Sequence, residues 1–256
     1  MKRILTAAAL IPVVVYVVLF ANSWVFLSVL IVAALLSYRE YDGIAAAYGF
    51  GAPGPMGYGF GLALLLWPGD AWIVALGAAL VALALAMRAD SLGKTLPRAA
   101  LLLLGVVYVF GCWKCALPLR ETNPHWLMFA LLVNWTGDAG AYYVGRAFGR
   151  HKMAPRVSPK KSWEGAAASI ATSILIAGGY LVYFTGTGAL RAVALTAAAN
   201  VAGQLGDLTE SAMKRGAGVK DSGAILPGHG GFLDRVDSTL FSLPVVYAYL
   251  KLMSVG

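Results

Sequence analysis

Residues 204 to 238 read QLGDLTESAMKRGAGVKDSGAILPGHGGFLDRVDS. Acidic and basic residues crowd this stretch, whereas the whole chain is 59% hydrophobic and only 12% charged. Soluble globular domains typically carry about 25% charged residues, so the composition predicts an integral membrane protein. Against that apolar background, the charged stretch is the candidate functional region.

The first part of this stretch belongs to a polar stripe. Its members follow one another at intervals of one, three or four residues: Asn200, Gln204, Asp207, Glu210, Ser211 and Lys214. On a helix this spacing places all of them on one face. Asp234 and Asp237 begin the next apolar run with similar spacing, and the glycines and Pro227 between the two runs predict a loop. We therefore expect two helix ends and a loop that face one anion.

The apolar runs predict an all-α polytopic membrane protein with about nine transmembrane helices. Most of the runs approach the ~20 residues that a spanning helix needs. They fall at 4–20, 24–37, 56–67, 71–87, 98–118, 126–146, 163–184, 188–213 and 236–253. The third run is short and rich in glycine, so an eight-span arrangement with an interfacial or re-entrant third segment is the alternative.

Lysine and arginine residues predict the orientation, because they concentrate in cytosolic loops. With nine spans, most of the 20 basic residues fall on one side. The amino terminus and the loops 147–162 and 214–235 are therefore expected in the cytosol, and the carboxyl terminus outside. The first 23 residues could pass for a secretory signal, but their long apolar core predicts a retained span.

The two halves of the chain differ in character. Residues 1–125 are expected to serve as scaffold and lipid contact, and residues 126–256 to carry the catalytic site, within one continuous membrane unit. The acids of the first half are all expected in loops: Glu40, Asp42, Asp70, Asp90 and Glu121. Cys112 and Cys115 are expected to be packing thiols, because a lone pair lacks the four ligands of a structural zinc site.

A second polar stripe begins at residue 134. Asn134, Asp138 and Tyr142 are spaced at i, i+4 and i+8. An ionised group in a spanning helix costs about 2.5–3.5 kcal/mol on insertion scales, so Asp138 is expected to face a hydrated cavity. The alternative is an ion pair between Asp138 and Arg146 with no further role.

The segment RHKMAPRVSPKKSWEG, residues 150–165, is rich in charge. Ser158 and Pro159 are expected as the N-cap and first residue of the seventh span. Lys160, Lys161, Ser162 and Glu164 would then lie in its first turns. A helix amino terminus with added lysines is a natural phosphate site, although an ordinary basic flank of a membrane helix would look the same.

The acidic residues point to a metal ion. Asp207 lies seven residues before Lys214, about 10 Å inside the helix end. Several carboxylates at that depth repel one another unless they are protonated or share a cation. Carboxylates without enough cysteine or histidine for soft coordination suggest Mg²⁺, which typically binds one or two carboxylates together with substrate phosphates. The sequence therefore predicts metal-dependent phosphate chemistry.

Two motifs resemble those of the phosphatidate cytidylyltransferases, also called CDP-diacylglycerol synthases. One is S-P-K-K-S-x-E-G, at residues 158–165, and the other is S-x-x-K-R-x-x-x-x-K-D followed by P-x-H-G-G-x-x-D-R-x-D. The second is carried by Ser211, Lys214, Arg215, Lys220, Asp221, Pro227, His229, Gly230, Gly231, Asp234, Arg235 and Asp237.

The resemblance implies that phosphatidate attacks the α-phosphorus of CTP, which gives CDP-diacylglycerol and pyrophosphate. The motifs and the charge pattern together lead to an expected role for each candidate residue. The expected ligands of one or two Mg²⁺ ions are Asp207, Asp234, Asp237, Asp221 and Glu210. The expected catalytic residues are Asp207, Asp234, Asp237, Lys214 and Lys220. The expected substrate-binding residues are Ser158, Lys160, Lys161, Ser162, Glu164, Asp138, Ser211, Arg215, His229, Gly230, Gly231 and Arg235, with His229 either donating to pyrophosphate or shaping the turn.

The expected partners are CTP, phosphatidate and membrane lipid, with no nucleic acid and with a possible homodimer. The expected location is the bacterial inner membrane, with the active site facing the cytosol. One rival function is a CTP-dependent kinase of a polyprenol-type lipid, which would transfer the γ-phosphoryl group. A second rival is a cation transporter, for which intramembrane acids are the ordinary explanation. A third, a non-catalytic scaffold for anionic lipids, would explain the basic loops but not the acids beside them.

Overall fold

The computed structural model describes residues 2–88, 91–225 and 230–255, and regular structure within them is nearly all helical. The α-helices are α1 (Lys2–Leu19), α2 (Ser23–Ala47), α3 (Gly54–Leu66), α4 (Ala71–Ala86), α5 (Thr95–Gly105), α6 (Cys112–Lys114), α7 (Ala116–Thr122), α8 (Pro124–Phe148), α9 (Trp163–Ser173), α10 (Gly179–Thr185), α11 (Ala189–Gly216) and α12 (Leu233–Val255). A 3₁₀ turn (Leu92–Lys94) precedes α5, and π-helical segments (Val106–Gly111 and Ile174–Gly178) follow α5 and α9. Two short antiparallel strands, β1 (Lys152–Ala154) and β2 (Ser158–Ser162), complete the regular structure of these residues.

Three helical stretches in the described residues are long and apolar enough to cross a membrane: Ser23–Ala47, Leu92–Thr122 and Trp163–Thr185. Shorter apolar helices occupy Leu10–Leu19, Gly54–Leu66 and Ala71–Ala86. The helical, membrane-type fold class is confirmed at this level, whereas the number of nine spans and the cytosolic amino terminus stay predictions.

The chain divides into two compact units. The first contains Trp24–Lys114 and Met213–Val236, and the second contains Ile4–Ser23, Cys115–Ala212 and the chain from Asp237 onward. Helices α11 and α12 contribute residues to both units.

The core of the first unit depends on glycines that lie beneath aromatic rings. A Cβ atom added to Gly57 in α3 would lie 1.5 Å from the hydroxyl oxygen of Tyr38, and one added to Gly105 in α5 would lie 2.3 Å from the ring of Tyr41. Tyr38 and Tyr41 of α2 are almost fully buried as a result. An aliphatic cluster lies alongside: Leu64, Ala82, Ala86, Ala99, Leu102 and Val106.

The second unit is organised by α8. Asn123 caps this helix, because its side chain accepts a hydrogen bond from the His125 N–H at 3.0 Å, and Pro124 occupies the first turn. Glycines on α8 permit close packing against α9: a Cβ atom on Gly140 would lie 2.3 Å from the Thr172 hydroxyl. This packing places the polar residues of α8 beside those of α9.

Two expectations about local structure are wrong. Glu40 and Asp42 lie in α2, and Glu121 lies in α7, rather than in loops. The apolar run that ends at residue 37 continues as a helix to Ala47 because Tyr41, Ile44 and Ala45 keep a buried face after the charged residues begin. Asp70 does precede a helix, as the N-cap residue of α4, and Asp90 lies outside the described residues.

Candidate active site

The second unit contains a cavity of about 60 Å³ that is rich in polar side chains. Both polar stripes predicted from the sequence contribute to it: Asn134 and Asp138 from α8, and Asn200, Gln204 and Asp207 from α11. Further lining comes from Ala141, Met153, Lys161, Ala166, Ser169, Gly203 and Ser238. Polar residues at helical spacing in two separate apolar runs therefore meet around one space.

Hydrogen bonds fix the deep part of this lining. The Asn200 amide donates to the hydroxyls of Ser169 (3.0 Å) and Ser173 (2.9 Å), and the Gln204 amide donates to the Asn200 carbonyl oxygen at 2.6 Å. The Asn134 amide donates to the Ser242 hydroxyl at 2.8 Å. Buried polar groups are costly unless they are paired, so this network holds α8, α9, α11 and α12 in register within the unit.

Tyr142, the third member of the stripe on α8, is not among the residues that line the cavity described above. Its side chain is largely exposed, and its hydroxyl accepts a hydrogen bond from Arg146 at 3.1 Å. Arg146 therefore contacts Tyr142, four residues away on the same helix.

Asp237 has three other carboxylates of the second unit within electrostatic reach. Asp237 is 8% exposed and Glu210 is fully buried. Asp237 interacts electrostatically with Asp207, Glu210 and Asp138. Ionised carboxylates at the low exposure of Glu210 and Asp237 repel one another, so this arrangement requires either protonation or positive charge nearby.

Lys161 supplies positive charge from the strand β2. Its ammonium lies 2.5 Å from an Asp207 carboxylate oxygen, and both side chains are about one third exposed or less. The Ser211 hydroxyl, one turn further along α11, donates to the other Asp207 oxygen at 3.4 Å. Asp207 thus contacts both Lys161 and Ser211, while the roles of the three residues in metal and substrate binding stay predictions.

The expected helix start at Ser158 is wrong. Residues Ser158–Ser162 form β2, paired with β1 in a register that places Lys152 opposite Ser162. Helix α9 begins only at Trp163, and Ser162 is its N-cap, with its hydroxyl accepting from the Gly165 N–H at 3.2 Å. Antiparallel pairing with the preceding strand β1 replaces the helix start that Ser158 and Pro159 favour locally, and it leaves Lys160 exposed and Lys161 turned toward Asp207.

Glu164, in the first turn of α9, has local partners. It accepts hydrogen bonds from the backbone N–H groups of Arg150 and His151 at 3.2 Å, and its carboxylate lies 2.6 Å from the His151 ring. Glu164 therefore ties the segment that leaves α8 to the start of α9.

In the first unit, Asp234 is the centre of a second constellation. Its carboxylate accepts from the Lys214 ammonium, from the Ser222 N–H (3.1 Å) and from the Gly231 N–H (2.8 Å). Asp234 precedes the apolar run 236–253. Burial alone would raise the pKa of Asp234, but the Lys214 hydrogen bond and charge and the two N–H donors hold this pKa below its usual value.

Asp221 lies in the same constellation. A Cβ atom on Gly230 would lie 2.9 Å from an Asp234 oxygen and 3.6 Å from an Asp221 oxygen, so the two carboxylates border the same glycine. Gly230 has φ = +81°, a conformation that favours glycine. The basic residues of this unit that the sequence assigned to phosphate, Arg215, Lys220 and Arg235, are all exposed.

Glu40 is a site residue that the sequence reasoning missed. Its side chain accepts hydrogen bonds from the Ser222 hydroxyl (2.7 Å), the Phe232 N–H (2.9 Å) and the Leu233 N–H (2.7 Å). Glu40 is only 4% exposed, although it follows an apolar run in which the sequence showed no chemistry. The sequence does contain a signal for this burial: Ser37, Glu40 and Ile44 stand at helical spacing and therefore share one face of α2.

The expectation that the second helix end faces a bound anion therefore needs correction. The N–H group of Leu233, at the start of α12, is engaged by the protein's own carboxylate, Glu40. Likewise the Gly231 N–H, expected to bind triphosphate, donates to Asp234. A helix amino terminus attracts negative charge, and here Glu40 and Asp234 provide it.

The predicted site residues are distributed over both units. The second unit holds Asp138, Ser158, Lys160, Lys161, Ser162, Glu164, Asp207, Glu210, Ser211 and Asp237. The first holds Lys214, Arg215, Lys220, Asp221, Gly230, Gly231, Asp234 and Arg235. His229 lies outside the described residues.

The predicted Mg²⁺ site can be compared with the structure in two respects, the kind of ligand atoms and their arrangement. Across residues 2–88, 91–225 and 230–255, no group of three or more histidine, cysteine, aspartate or glutamate side chains is arranged to hold one ion. The carboxylate oxygens of the coupled acids are nevertheless the donors that Mg²⁺ prefers.

Comparison with known proteins agrees with the motifs. The model of the cytidylyltransferase family matches residues 1–253. A phosphatidate cytidylyltransferase of Bacillus subtilis is 41% identical over 155 residues, which are 59% of this chain and 58% of that protein. One of Staphylococcus saprophyticus is 42% identical over 149 residues, 58% of this chain and 57% of that protein. Each match thus spans less than two thirds of the relative's own length.

Proposed function

Because this chain belongs to the cytidylyltransferase family, we propose that it is a membrane enzyme that transfers the cytidylyl group of CTP to phosphatidate. The products are CDP-diacylglycerol and pyrophosphate. The names of the Bacillus and Staphylococcus relatives support this choice of substrates. The observation that carries the proposal is the Lys161–Asp207 ion pair at a cavity lined by polar side chains of α8, α9 and α11 in an otherwise apolar protein.

The reaction needs little proton chemistry. An anionic phosphate oxygen of phosphatidate attacks the α-phosphorus of CTP, a new P–O bond forms, and the bond to the bridging oxygen of the β-phosphate breaks. Pyrophosphate leaves with the electron pair of that bond. Because the nucleophile is already ionised, the protein has to neutralise two polyanions and align them for in-line displacement.

Lys161 fits that task in the second unit. Its ammonium is within contact distance of Asp207, and β2 holds it at the edge of the cavity. A phosphate that approaches this position can accept a charge-assisted hydrogen bond from Lys161. Lys160 and the N-cap residue Ser162 are the neighbouring candidates for the same phosphate.

The basic residues of the first unit are proposed to bind the triphosphate and the leaving pyrophosphate. Lys214, 9% exposed, already pairs with Asp234, while Arg215, Lys220 and Arg235 are exposed. Exposed cations bind a polyphosphate without first losing much hydration.

Mg²⁺ is the proposed cofactor, as one or two ions. The proposed ligands are Asp207, Glu210 and Asp237 in the second unit and Asp221 and Asp234 in the first. When bound, such an ion neutralises charge on the phosphates and polarises the α-phosphorus for attack. The buried and mutually repelling carboxylates Glu210 and Asp237 support this assignment, because a divalent cation would offset their repulsion.

The proposed location is the bacterial inner membrane, with the active site on the cytosolic side, where CTP is available. The acyl chains of phosphatidate then stay in the bilayer and need only lateral access between helices. A homodimer is the proposed assembly.

Labelled CTP tests the function against the lipid-kinase alternative. The purified full-length protein is incubated in phosphatidate-containing vesicles with Mg²⁺ and with CTP labelled either in the cytosine ring or at the γ-phosphate. We expect the ring label in the lipid product and the γ label in pyrophosphate. Lipid that carries only the γ label would refute cytidylyl transfer.

A further inference from the structure

The glycine-rich loop between α11 and α12, residues 217–232, contacts one distant side chain at two places. Glu40 accepts from the Ser222 hydroxyl in the first part of the loop, from the N–H group of Phe232 at its last residue and from the N–H group of Leu233 at the start of α12. More than 180 residues of chain separate Glu40 from each of these donors. A single buried carboxylate thus joins both sides of the loop.

Glycines make this contact possible. A Cβ atom on Gly223 would lie 2.4 Å from one Glu40 oxygen, and a Cβ atom on Gly231 would lie 2.3 Å from the other. Any side chain at either position would displace the carboxylate. The two glycines therefore provide the space in which Glu40 is buried.

Ser222 connects Glu40 to Asp234. Its hydroxyl donates to Glu40 at 2.7 Å and accepts from the Asp234 N–H at 3.3 Å, while its own N–H donates to the Asp234 carboxylate at 3.1 Å. Asp221, the preceding residue, borders Gly230 together with Asp234. The position of Glu40 is therefore coupled to that of both carboxylates.

We infer that Glu40 is a positioning residue for CTP binding: it holds Ser222 against the start of α12 and thereby keeps Asp221 and Asp234 together. This inference rests on the proposed function, in which these two aspartates bind the cation that accompanies CTP. Glu40 itself does not touch the substrate, because its oxygens are engaged by the loop and the helix end.

The variant Glu40→Gln tests this role with little change in size. An amide offers one acceptor oxygen, which cannot replace the two carboxylate oxygens that accept three hydrogen bonds here. The matched control is Asp42→Asn on the same helix, because an amide oxygen can retain the hydrogen bond that Asp42 accepts from the Gly54 N–H at 2.9 Å.

The first measurement is backbone hydrogen exchange of the full-length protein in nanodiscs. We expect the Phe232 and Leu233 amides to exchange on the order of tenfold faster in Glu40→Gln than in the wild type, since each loses a buried partner. Amides of α8 should be unchanged in this variant, and Asp42→Asn should match the wild type at Phe232 and Leu233. Unchanged exchange at both amides in Glu40→Gln would overturn the inference.

The second measurement is CTP affinity, by equilibrium binding and by KM. We expect the Kd and KM for CTP to rise on the order of tenfold in Glu40→Gln, with the KM for phosphatidate nearly constant. If Glu40 only stabilised the fold, the variant would have a smaller folded fraction. The apparent kcat would then fall whichever substrate is varied, and the KM values for CTP and phosphatidate would not change. If the wild type binds CTP and Glu40→Gln binds it with the same affinity, the inference about Glu40 is overturned and the proposed function stands. If the wild type binds no CTP, both the inference and the proposed function are overturned.

Discussion

The ammonium of Lys161 lies 2.5 Å from a carboxylate oxygen of Asp207, at the edge of a polar cavity. Lys161 comes from a short strand and Asp207 from the middle of a 28-residue helix. Their contact joins the motif at residues 158–165 to the charged stretch 204–238, and it neutralises one of the carboxylates near Asp237.

Lys161→Ala removes that positive charge. We expect kcat/KM for CTP to fall by roughly 100-fold or more, because the variant loses a phosphate donor and leaves Asp207 without its ion-pair partner. The control is Lys152→Ala in the paired strand β1, where the lysine is exposed, and its kcat/KM should stay within about twofold of the wild type. Equal losses in both variants would show that the strands, and not the Lys161 charge, matter.

Asp207→Asn preserves shape while it removes charge. We expect cytidylyl transfer to fall to background, since an amide is a much weaker ligand for Mg²⁺ than a carboxylate. The thermal unfolding temperature should be maintained or slightly raised, because the substitution also relieves repulsion with Asp237. Activity near that of the wild type in Asp207→Asn would contradict the metal-ligand assignment.

Much of this site could be predicted from the sequence because its parts are periodic. Asn134 and Asp138 on one helix, and Asn200, Gln204 and Asp207 on another, stand at helical spacing within apolar runs. Such residues must face a cavity or a partner, whichever helices pack together. In the structure these five residues line one cavity of the second unit.

The parts that could not be predicted depend on hydrogen-bond partners that residue identity does not reveal. β2 forms by antiparallel pairing with the preceding strand β1, although Ser158 and Pro159 locally favour a helix start. Glu40 accepts hydrogen bonds from two backbone N–H groups. Nearly every residue type has such a group, so the sequence does not show which of them a carboxylate contacts. Charged residues after an apolar run usually mark its end, which is why Glu40 was expected in a loop.

Chelation tests the cofactor separately from the reaction. We expect EDTA to abolish cytidylyl transfer and Mg²⁺ to restore it. Mg²⁺ alone should also raise the thermal unfolding temperature of the wild type, because a ligand that binds only the folded state stabilises it. The same addition should stabilise the double variant Asp207→Asn/Asp237→Asn less, because this variant lacks two of the proposed ligands of the second unit. Equal stabilisation of both proteins would place the ion elsewhere.

The pairing of Asp234 makes a prediction about stability and pH. Its folded-state pKa lies below the ordinary value of 3.8, so its contribution to stability is present above about pH 4 and is lost as the pH falls through the lowered folded-state pKa. Asp234→Asn should reduce the free energy of unfolding by about 2–4 kcal/mol near pH 7, since Lys214 and Asp234 are both largely buried.

The deficit of Asp234→Asn relative to the wild type should stay constant from about pH 8 to about pH 5 and shrink below about pH 4. Denaturant unfolding in mild detergent at several pH values measures it. A deficit that instead shrinks as the pH rises from 5 to 8 would mean that Asp234 is protonated in the folded protein.

Glycine substitutions test whether close packing of α8 shapes the cavity. A Cβ atom on Gly137 would lie 2.5 Å from the Asn200 amide nitrogen and 2.6 Å from the Ser169 hydroxyl, inside the network that lines the cavity. Gly137→Ala should therefore cost about 1–3 kcal/mol of stability and lower activity, because either the network or the helix must move.

Gly179→Ala is the matched control: Gly179 begins α10, and a Cβ atom there meets nothing within 4 Å. The control should be as stable as the wild type, or more stable by up to about 1 kcal/mol. If Gly137→Ala matched that control in unfolding free energy and in turnover, the hydrogen-bond network around Asn200 would not be what sets the shape of the cavity.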